Sequence, residues 1–290
     1  MSGRNINTMD LDSLTTLEII RKINEEDEKV SKAIKEEEKN IAIAVNIIFN
    51  VLREGGKMFY IGSGTSGKLG VIDASECPPT FGVDDSLVQG IISGGDAAIS
   101  GWLEHTEDNE ELAIEDLKIR KITNKDVLIG ISASGNTPYV NSAIRYAKEL
   151  GCRTIGIMCS KKGSLKNICD LTIAVDVGPE VIMGSTRMKA GTAQKMILNM
   201  LSTTTMIKLG KTYSNLMVNV KPINNKLKER VREIVMLATD KSLEEVERTL
   251  MECNYDPKTA IVMIKIGIST KEAQEKLKLH GGRVYETLKG

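Results

Sequence analysis

Aromatic side chains are scarce in this sequence, at 3% of residues. That scarcity argues against RNA-stacking surfaces and against carbohydrate platforms built from Trp and Tyr. Net charge is also missing, because 39 basic and 39 acidic residues cancel. Nothing here points to nucleic acid or to a membrane surface as a partner. Histidine occurs only as His105 and His280, so no His-rich metal site is expected. The cysteines are odd in number (Cys77, Cys152, Cys159, Cys169 and Cys253) and contain no CxxC pair. They suit reduced thiols better than a disulfide framework. The N-terminus lacks the apolar core of a secretory signal, and no apolar run is long enough to span a bilayer. The expectation is a soluble, cytoplasmic protein that needs neither metal nor cofactor.

What remains is an ordinary globular composition. The 290 residues are 41% hydrophobic and 27% charged, enough for one large domain with a small appendage. Residues 1–12 are polar and read as irregular, and Ser13, Thr15 and Thr16 offer capping hydroxyls. Helical periodicity then runs over 17–52 and ends in an apolar stripe at Ile41, Ala44, Val45, Ile48 and Val51. Short apolar runs follow at 57–61, 87–92, 126–132, 153–158 and 171–175. Between them lie helical stretches at 66–74, 96–117 and 138–150 and a short one near Leu165. Apolar strands separated by helices predict an α/β fold, a doubly wound parallel sheet covered on both faces. A long apolar helix is expected over 189–209, buried or in a dimer interface. From Pro222 the chain turns helical and charged, with capped segments at 242–251, 256–266 and 270–278 that read as a three-helix unit, and a weaker helix at 282–288. The domain boundaries read as 1–54, 55–221 and 222–290.

Two turns carry the first chemical signal. The strand at 57–61 runs into Gly62-Ser63-Gly64-Thr65-Ser66-Gly67-Lys68. Glycines let backbone approach a ligand closely, and hydroxyls with free N–H groups at a helix start hold anions. The spacing contains GxGxxG, but no acidic residue ends a following strand where a ribose would need it, and the Walker pattern fails. A tight structural turn would use the same residues. The strand at 126–132 ends similarly, in Ser132-Ala133-Ser134-Gly135-Asn136-Thr137 before Pro138. Two hydroxyl-rich turns at equivalent strand ends favour phosphate binding over loop structure. Ser63, Thr65, Ser66, Ser132, Ser134, Asn136 and Thr137 are the candidate ligand contacts.

Carboxylates supply the second signal. Glu76 lies in Asp73-Ala74-Ser75-Glu76-Cys77-Pro78-Pro79-Thr80, where the prolines are expected to end the preceding helix. Glu107 lies in an acidic run, His105-Thr106-Glu107-Asp108-Asn109-Glu110-Glu111. Either would by default be a solvated surface group. A third segment, Gly178-Pro179-Glu180 through Gly184-Ser185-Thr186-Arg187-Met188-Lys189, combines small residues, hydroxyls and cations before the apolar helix. Glu180 and Lys189 join the candidate substrate contacts, with Ser185 or Thr186 as helix caps.

Together these segments resemble the N-acetylmuramic acid 6-phosphate etherases. The matching stretches are YIGSGTSGKLGVIDASECPPTFG at 60–82, GISASGNTPYV at 130–140, GSTRMKAGTAQKMILNMLST at 184–203 and NLMVNVKPINNKL at 215–227. The resemblance spans nearly the whole chain. It implies a sugar isomerase (SIS) fold and a homodimer whose substrate is N-acetylmuramic acid 6-phosphate. The reaction it implies is elimination of D-lactate followed by addition of water, giving N-acetylglucosamine 6-phosphate. The family's two essential carboxylates fall on Glu76 and Glu107. On this reading Glu76 protonates departing lactate and Glu107 removes the C2 proton, while the turns anchor the phosphate. Lys68 and Asn136 stand where the family often has Arg, and neither offers the bidentate fork of Arg. Two other readings fit the turns: an aldose–ketose isomerase on the same fold, and a regulatory phosphosugar-binding module. The second lacks support from any helix-turn-helix signature or basic stretch.

Overall fold

Five short apolar runs form one parallel sheet in the computed structural model, which describes residues 3–101, 105–220, 222 and 224–290. The strands are β1 (Met58–Gly62), β2 (Val88–Ile92), β3 (Val127–Ile131), β4 (Arg153–Met158) and β5 (Leu171–Ala174). Their order is β2-β1-β3-β4-β5, with every pair parallel. β1 and β3 are buried along their whole length. That explains why these runs are continuously apolar rather than alternating. The expected α/β class with a parallel, helix-flanked sheet is what forms.

Strand order fixes where a ligand can go. The chain moves from β1 outward to β2, returns past β1 to β3, and continues the other way to β5. The reversal lies between β1 and β3, which pair through Ile61↔Gly130 and Gly62↔Ile131. At such a switch point the loops leaving adjacent strand ends diverge to opposite faces and open a crevice. Both hydroxyl-rich turns leave the sheet there.

The chain forms two compact units, Met1–Ser75 with Ser86–Ser202, and Glu76–Asp85 with Thr203–Gly290. The N-terminal helices, read from sequence as their own segment, pack within the first unit. Its helices are α1 (Thr16–Lys35), α2 (Glu38–Arg53), most of α3 (Gly64–Phe81), α4 (Gly95–Ser100), α5 (Glu110–Ile119), α6 (Pro138–Glu149), α7 (Leu165–Ile168) and most of α8 (Lys189–Lys208). Phe59, Ile61 and Leu128 of the sheet pack with Leu117, Tyr139, Val140 and Ile144. Among the described residues, no helix is long and apolar enough to cross a membrane.

Four departures from the expected elements have identifiable causes. The stretch at 17–52 is two helices, α1 and α2, separated at Glu36 and Glu37. Buried positions Val30, Ile34, Ile41, Ala44, Val45, Ile48 and Leu52 keep helical spacing through that tight turn, so periodicity alone does not reveal it. The polar residues 1–12 include short 3-10 turns at Ile6–Thr8 and Leu11–Ser13. The prolines do not end α3, which carries Pro78 and Pro79 inside it. They deprive the carbonyls of Ala74 and Ser75 of helical donors, but burial of Cys77 and Phe81 holds the last turn in place. Gly82, at φ +60, ends the helix, its N–H donating to the Pro78 carbonyl at 2.8 Å. Finally, the helix expected over 96–117 is broken into α4, a 3-10 turn at Thr106–Asp108 and α5. Asn109 starts α5 by accepting from the Leu112 N–H at 2.9 Å. Residues 102–104 of that stretch lie outside the described residues.

The second unit holds the three expected segments and the weaker closing helix, and adds one more, Asn225–Thr239, before them. It contains α9 (Asn225–Thr239), α10 (Leu243–Glu252), α11 (Pro257–Ile266), α12 (Thr270–Leu279) and α13 (Val284–Lys289). Asn224, Ser242, Asp256 and Ser269 cap the first four of these with side-chain oxygens. The core contains Val231, Val235, Leu250, Ile261, Val262 and Leu277. Lys258 is buried there, and its ammonium donates to the carbonyls of Gly210 and Gly282 at 2.8 and 3.0 Å. Burial pulls its pKa down to about 8.

Candidate functional site

The first turn is built by close backbone packing. A Cβ on Gly62 would lie 2.7 Å from the Gly67 nitrogen, and one on Gly67 would lie 2.7 Å from the Gly62 oxygen. Only glycine at both places lets α3 begin this near the end of β1. The result is a cluster of hydroxyls. The Ser63 and Ser93 oxygens are 2.7 Å apart, and Ser93 lies 3.2 Å from the Thr106 hydroxyl. The Ser93 N–H donates to the Gly62 carbonyl at 3.1 Å, tying the exit of β2 to that of β1.

A cavity of about 580 Å³ opens on this cluster. Ser63, Thr65, Lys68, Ser93, His105, Thr106 and Glu107 line it. Two candidates of the first turn, Ser63 and Thr65, are thus brought together with the candidate carboxylate Glu107. Lys68 reaches across to the Gly101 carbonyl at 3.4 Å. Ser66 turns the other way. It is buried, and its hydroxyl donates to Gln194 Oε1 of α8 at 3.0 Å. Ser93, His105 and Thr106 were not singled out by motif. The signal for Ser93 is its place before Gly94-Gly95 at the end of β2, the same small-residue pattern as the other strand ends.

The second turn organises itself. The Ser132 hydroxyl lies 2.8 Å from that of Thr137 and accepts the Gly135 N–H at 3.0 Å. Ser134 accepts the Asn136 N–H at 3.1 Å, and Asn136 Oδ1 accepts the Ser164 N–H at 2.9 Å. Ser164 in turn donates to the Gly135 carbonyl and accepts from Asn141. Ser134 and Asn136 remain exposed. None of these residues lines the 580 Å³ cavity, although β3 delivers them beside the first turn.

The third segment is engaged internally. Glu180 is buried and caps α8, its oxygens accepting the Lys189 and Ala190 N–H groups at 2.9 and 3.0 Å. The Lys189 ammonium, 1% exposed, lies 2.6 Å from the equally buried Glu26 of α1. Burial alone would raise the Glu26 pKa, but hydrogen bonds from Lys189, Lys29 and Asn7 outweigh it and hold the carboxyl at about 2. Both residues therefore build the protein wall.

Glu107 is exposed at the cavity, on the 3-10 turn that breaks the expected helix. Glu76 is exposed on α3 within the second unit and is not among the cavity-lining residues. The less exposed carboxylate of that motif is Asp73, which is half-buried. Burial raises its pKa, opposed by hydrogen bonds from Tyr60 at 2.9 Å and Ser202 at 3.1 Å. None of the five cysteines is in a disulfide, and burial pushes Cys152 to about 11 and Cys159 and Cys169 to about 12. These thiols stay protonated and are no nucleophiles. What the cavity offers is hydroxyls, an ammonium, an imidazole and the carboxylates of Glu107 and Asp108. That set suits a polar anionic ligand and proton transfer.

Residues 99–204 match the SIS domain, and residues 25–148 match the N-terminal SIS domain of glucokinase regulatory protein. A protein of Caldanaerobacter subterraneus named N-acetylmuramic acid 6-phosphate etherase is 53% identical, over 99% of this chain and 94% of its own. Proteins with the same name from Clostridioides difficile and a Geobacillus are 50% and 48% identical, with 99% and 98% of this chain covered and 94% and 97% of their own. Similarity that spans both units, and not the sheet alone, assigns this chain to the N-acetylmuramic acid 6-phosphate etherase family.

Proposed function

We propose that the chain cleaves the D-lactyl ether of N-acetylmuramic acid 6-phosphate, releasing D-lactate and N-acetylglucosamine 6-phosphate. The observation that carries this reading is identity near 50% to etherases along almost the entire chain. An ether is a poor substrate for direct displacement. In the open-chain sugar the aldehyde acidifies the C2 proton, so a general base can remove it. The C3–O bond then breaks, and lactate leaves with a proton from a general acid. Water adds at C3 of the unsaturated aldehyde, and a proton returns to C2. The sum is the substrate plus water going to two products.

Glu107, at the cavity with Ser63, Thr65 and Lys68, is the base at C2 in this account. Glu76 is the acid for departing lactate and later helps deprotonate water. The hydroxyls of the two turns hold the phosphate and thereby orient C2 and C3. The protein would work as a cytoplasmic homodimer. Purified protein should release D-lactate from N-acetylmuramic acid 6-phosphate in deuterated water, with deuterium at C2 of the product. Absence of lactate would sink the reading. The likeness of 25–148 to a regulatory protein's domain favours a second reading, binding without turnover, and the same assay separates the two.

A further inference from the structure

Three of the hydroxyls that line the cavity stand in a row. The Ser63 and Ser93 oxygens are 2.7 Å apart, and the Ser93 and Thr106 oxygens are 3.2 Å apart. Both ends of the row are partly exposed, while Ser93 in the middle is 1% exposed. Ser63 belongs to the turn after β1, and Thr106 precedes Glu107 on the 3-10 turn. The row therefore joins the turn assigned to the phosphate and the turn that carries the assigned base.

The sheet does not depend on the Ser93 hydroxyl. The tie between the exits of β1 and β2 is made by the Ser93 N–H, at 3.1 Å from the Gly62 carbonyl, and an alanine would keep it. The turn with Glu107 has supports of its own toward α5 and α6. Asn109 caps α5, and Ser142 of α6 donates to the Glu110 carbonyl at 2.9 Å. Toward β2 it is tied through Thr106 to Ser93.

Counting donors gives the row a direction. A hydroxyl has one proton to donate. Without a ligand either direction is open, because each oxygen of a pair can be the donor. A phosphate dianion only accepts, so a Ser63 that donates to it is left to accept from Ser93. Ser93, its proton used, then accepts from Thr106. A phosphate at Ser63 thus aligns the whole row, and aligned hydrogen bonds strengthen one another.

We infer that Ser93 is a positioning residue, through which a phosphate bound at Ser63 fixes the turn that carries Glu107. This rests on the etherase reading and deepens it. Binding energy from the end of the sugar remote from the reacting carbons is used to hold the base at C2.

The test separates turnover from binding. Ser93→Ala should lower kcat for lactate release about tenfold, the effect of a slightly misplaced base. Inhibition by N-acetylglucosamine 6-phosphate should move far less, because Ser63, Thr65 and Lys68 remain. Thr106→Ala, at a partly exposed position, should show the same loss of kcat. The two substitutions together should cost no more than either alone, since both break one row. Thr106→Ser keeps the hydroxyl and should keep the wild-type kcat. Assays run well below each variant's thermal midpoint, and Thr106→Ala carries the test if Ser93→Ala does not fold. Wild-type kcat in the alanine variants overturns the proposal, and so do losses that multiply in the double variant. Inhibition weakened as much as kcat also overturns it, since Ser93 would then only shape the phosphate turn. Failure of the etherase reading shows separately, as absence of lactate from the wild-type protein, and the proposal falls with it.

Discussion

Lys189→Met should destabilise the protein by about 3 kcal/mol at neutral pH. The substitution removes a buried ammonium 2.6 Å from Glu26, which is itself 3% exposed on its side chain. Its depressed pKa gives a second route to the magnitude. Glu26 falls from 4.5 to about 2 in the folded protein, and each pKa unit is worth about 1.4 kcal/mol, so the depression corresponds to about 3 kcal/mol. Because the folded value lies below the unfolded one, this contribution is complete above pH 4.5 and is lost as pH falls toward 2. Against a total stability of about 5–15 kcal/mol, the loss is large. In the variant Glu26 keeps Asn7 and the half-exposed Lys29, but burial now weighs more, and its pKa rises. The deficit should therefore be larger at pH 7.5 than at pH 5. Urea denaturation at both pH values, followed by circular dichroism, measures it. A loss below about 1 kcal/mol, the range of an exposed pair, would refute the reasoning. So would equal losses at the two pH values. Adding Glu26→Leu to Lys189→Met should restore most of the stability, because a paired charge replaced by apolar groups of similar size is close to neutral.

Glu107→Gln should cut lactate release by about 10²–10⁴-fold without moving the thermal midpoint, since the side chain is exposed; full activity would remove it from the proposed mechanism. Ser66→Ala should cost about 1 kcal/mol in chemical denaturation and leave KM unaltered, because the hydroxyl serves Gln194. A raised KM with intact stability would return Ser66 to the ligand contacts. Lys258 has a folded-state pKa of about 8, below its ordinary 10.5, so the unfolded chain binds more protons between those values and stability rises across that window. Lys258→Met should lack that rise when denaturation is compared at pH 8 and pH 10; an identical pH dependence in both proteins would contradict it.

The sheet was legible because fully buried parallel strands leave unbroken apolar runs such as MFYIG and VLIGI. The turns were legible because glycine and hydroxyl residues cluster where strands end. What escaped was set by partners remote in sequence. Lys189 and Glu26 are 163 positions apart, so nothing local marks Lys189 as part of a buried pair. Glu180 reads as a candidate ligand contact, and only the folded chain reveals two backbone amides in its grasp. Pro78 and Pro79 follow a local rule that burial of Cys77 and Phe81 overrides. The cavity joins residues from three separate segments, around Ser63, Ser93 and Glu107; motif reading marked the first and last and missed the middle one.

Glu180 has a consequence for how the molecule chooses among anions. The start of α8 has the equipment of an anion receptor, with helix amides and a nearby lysine. Here the chain has installed its own carboxylate in that receptor, two-pronged and sealed from water. A visiting phosphate would have to evict a tethered competitor whose local concentration never falls. The fold thus behaves like a lock with one keyhole already plugged from within.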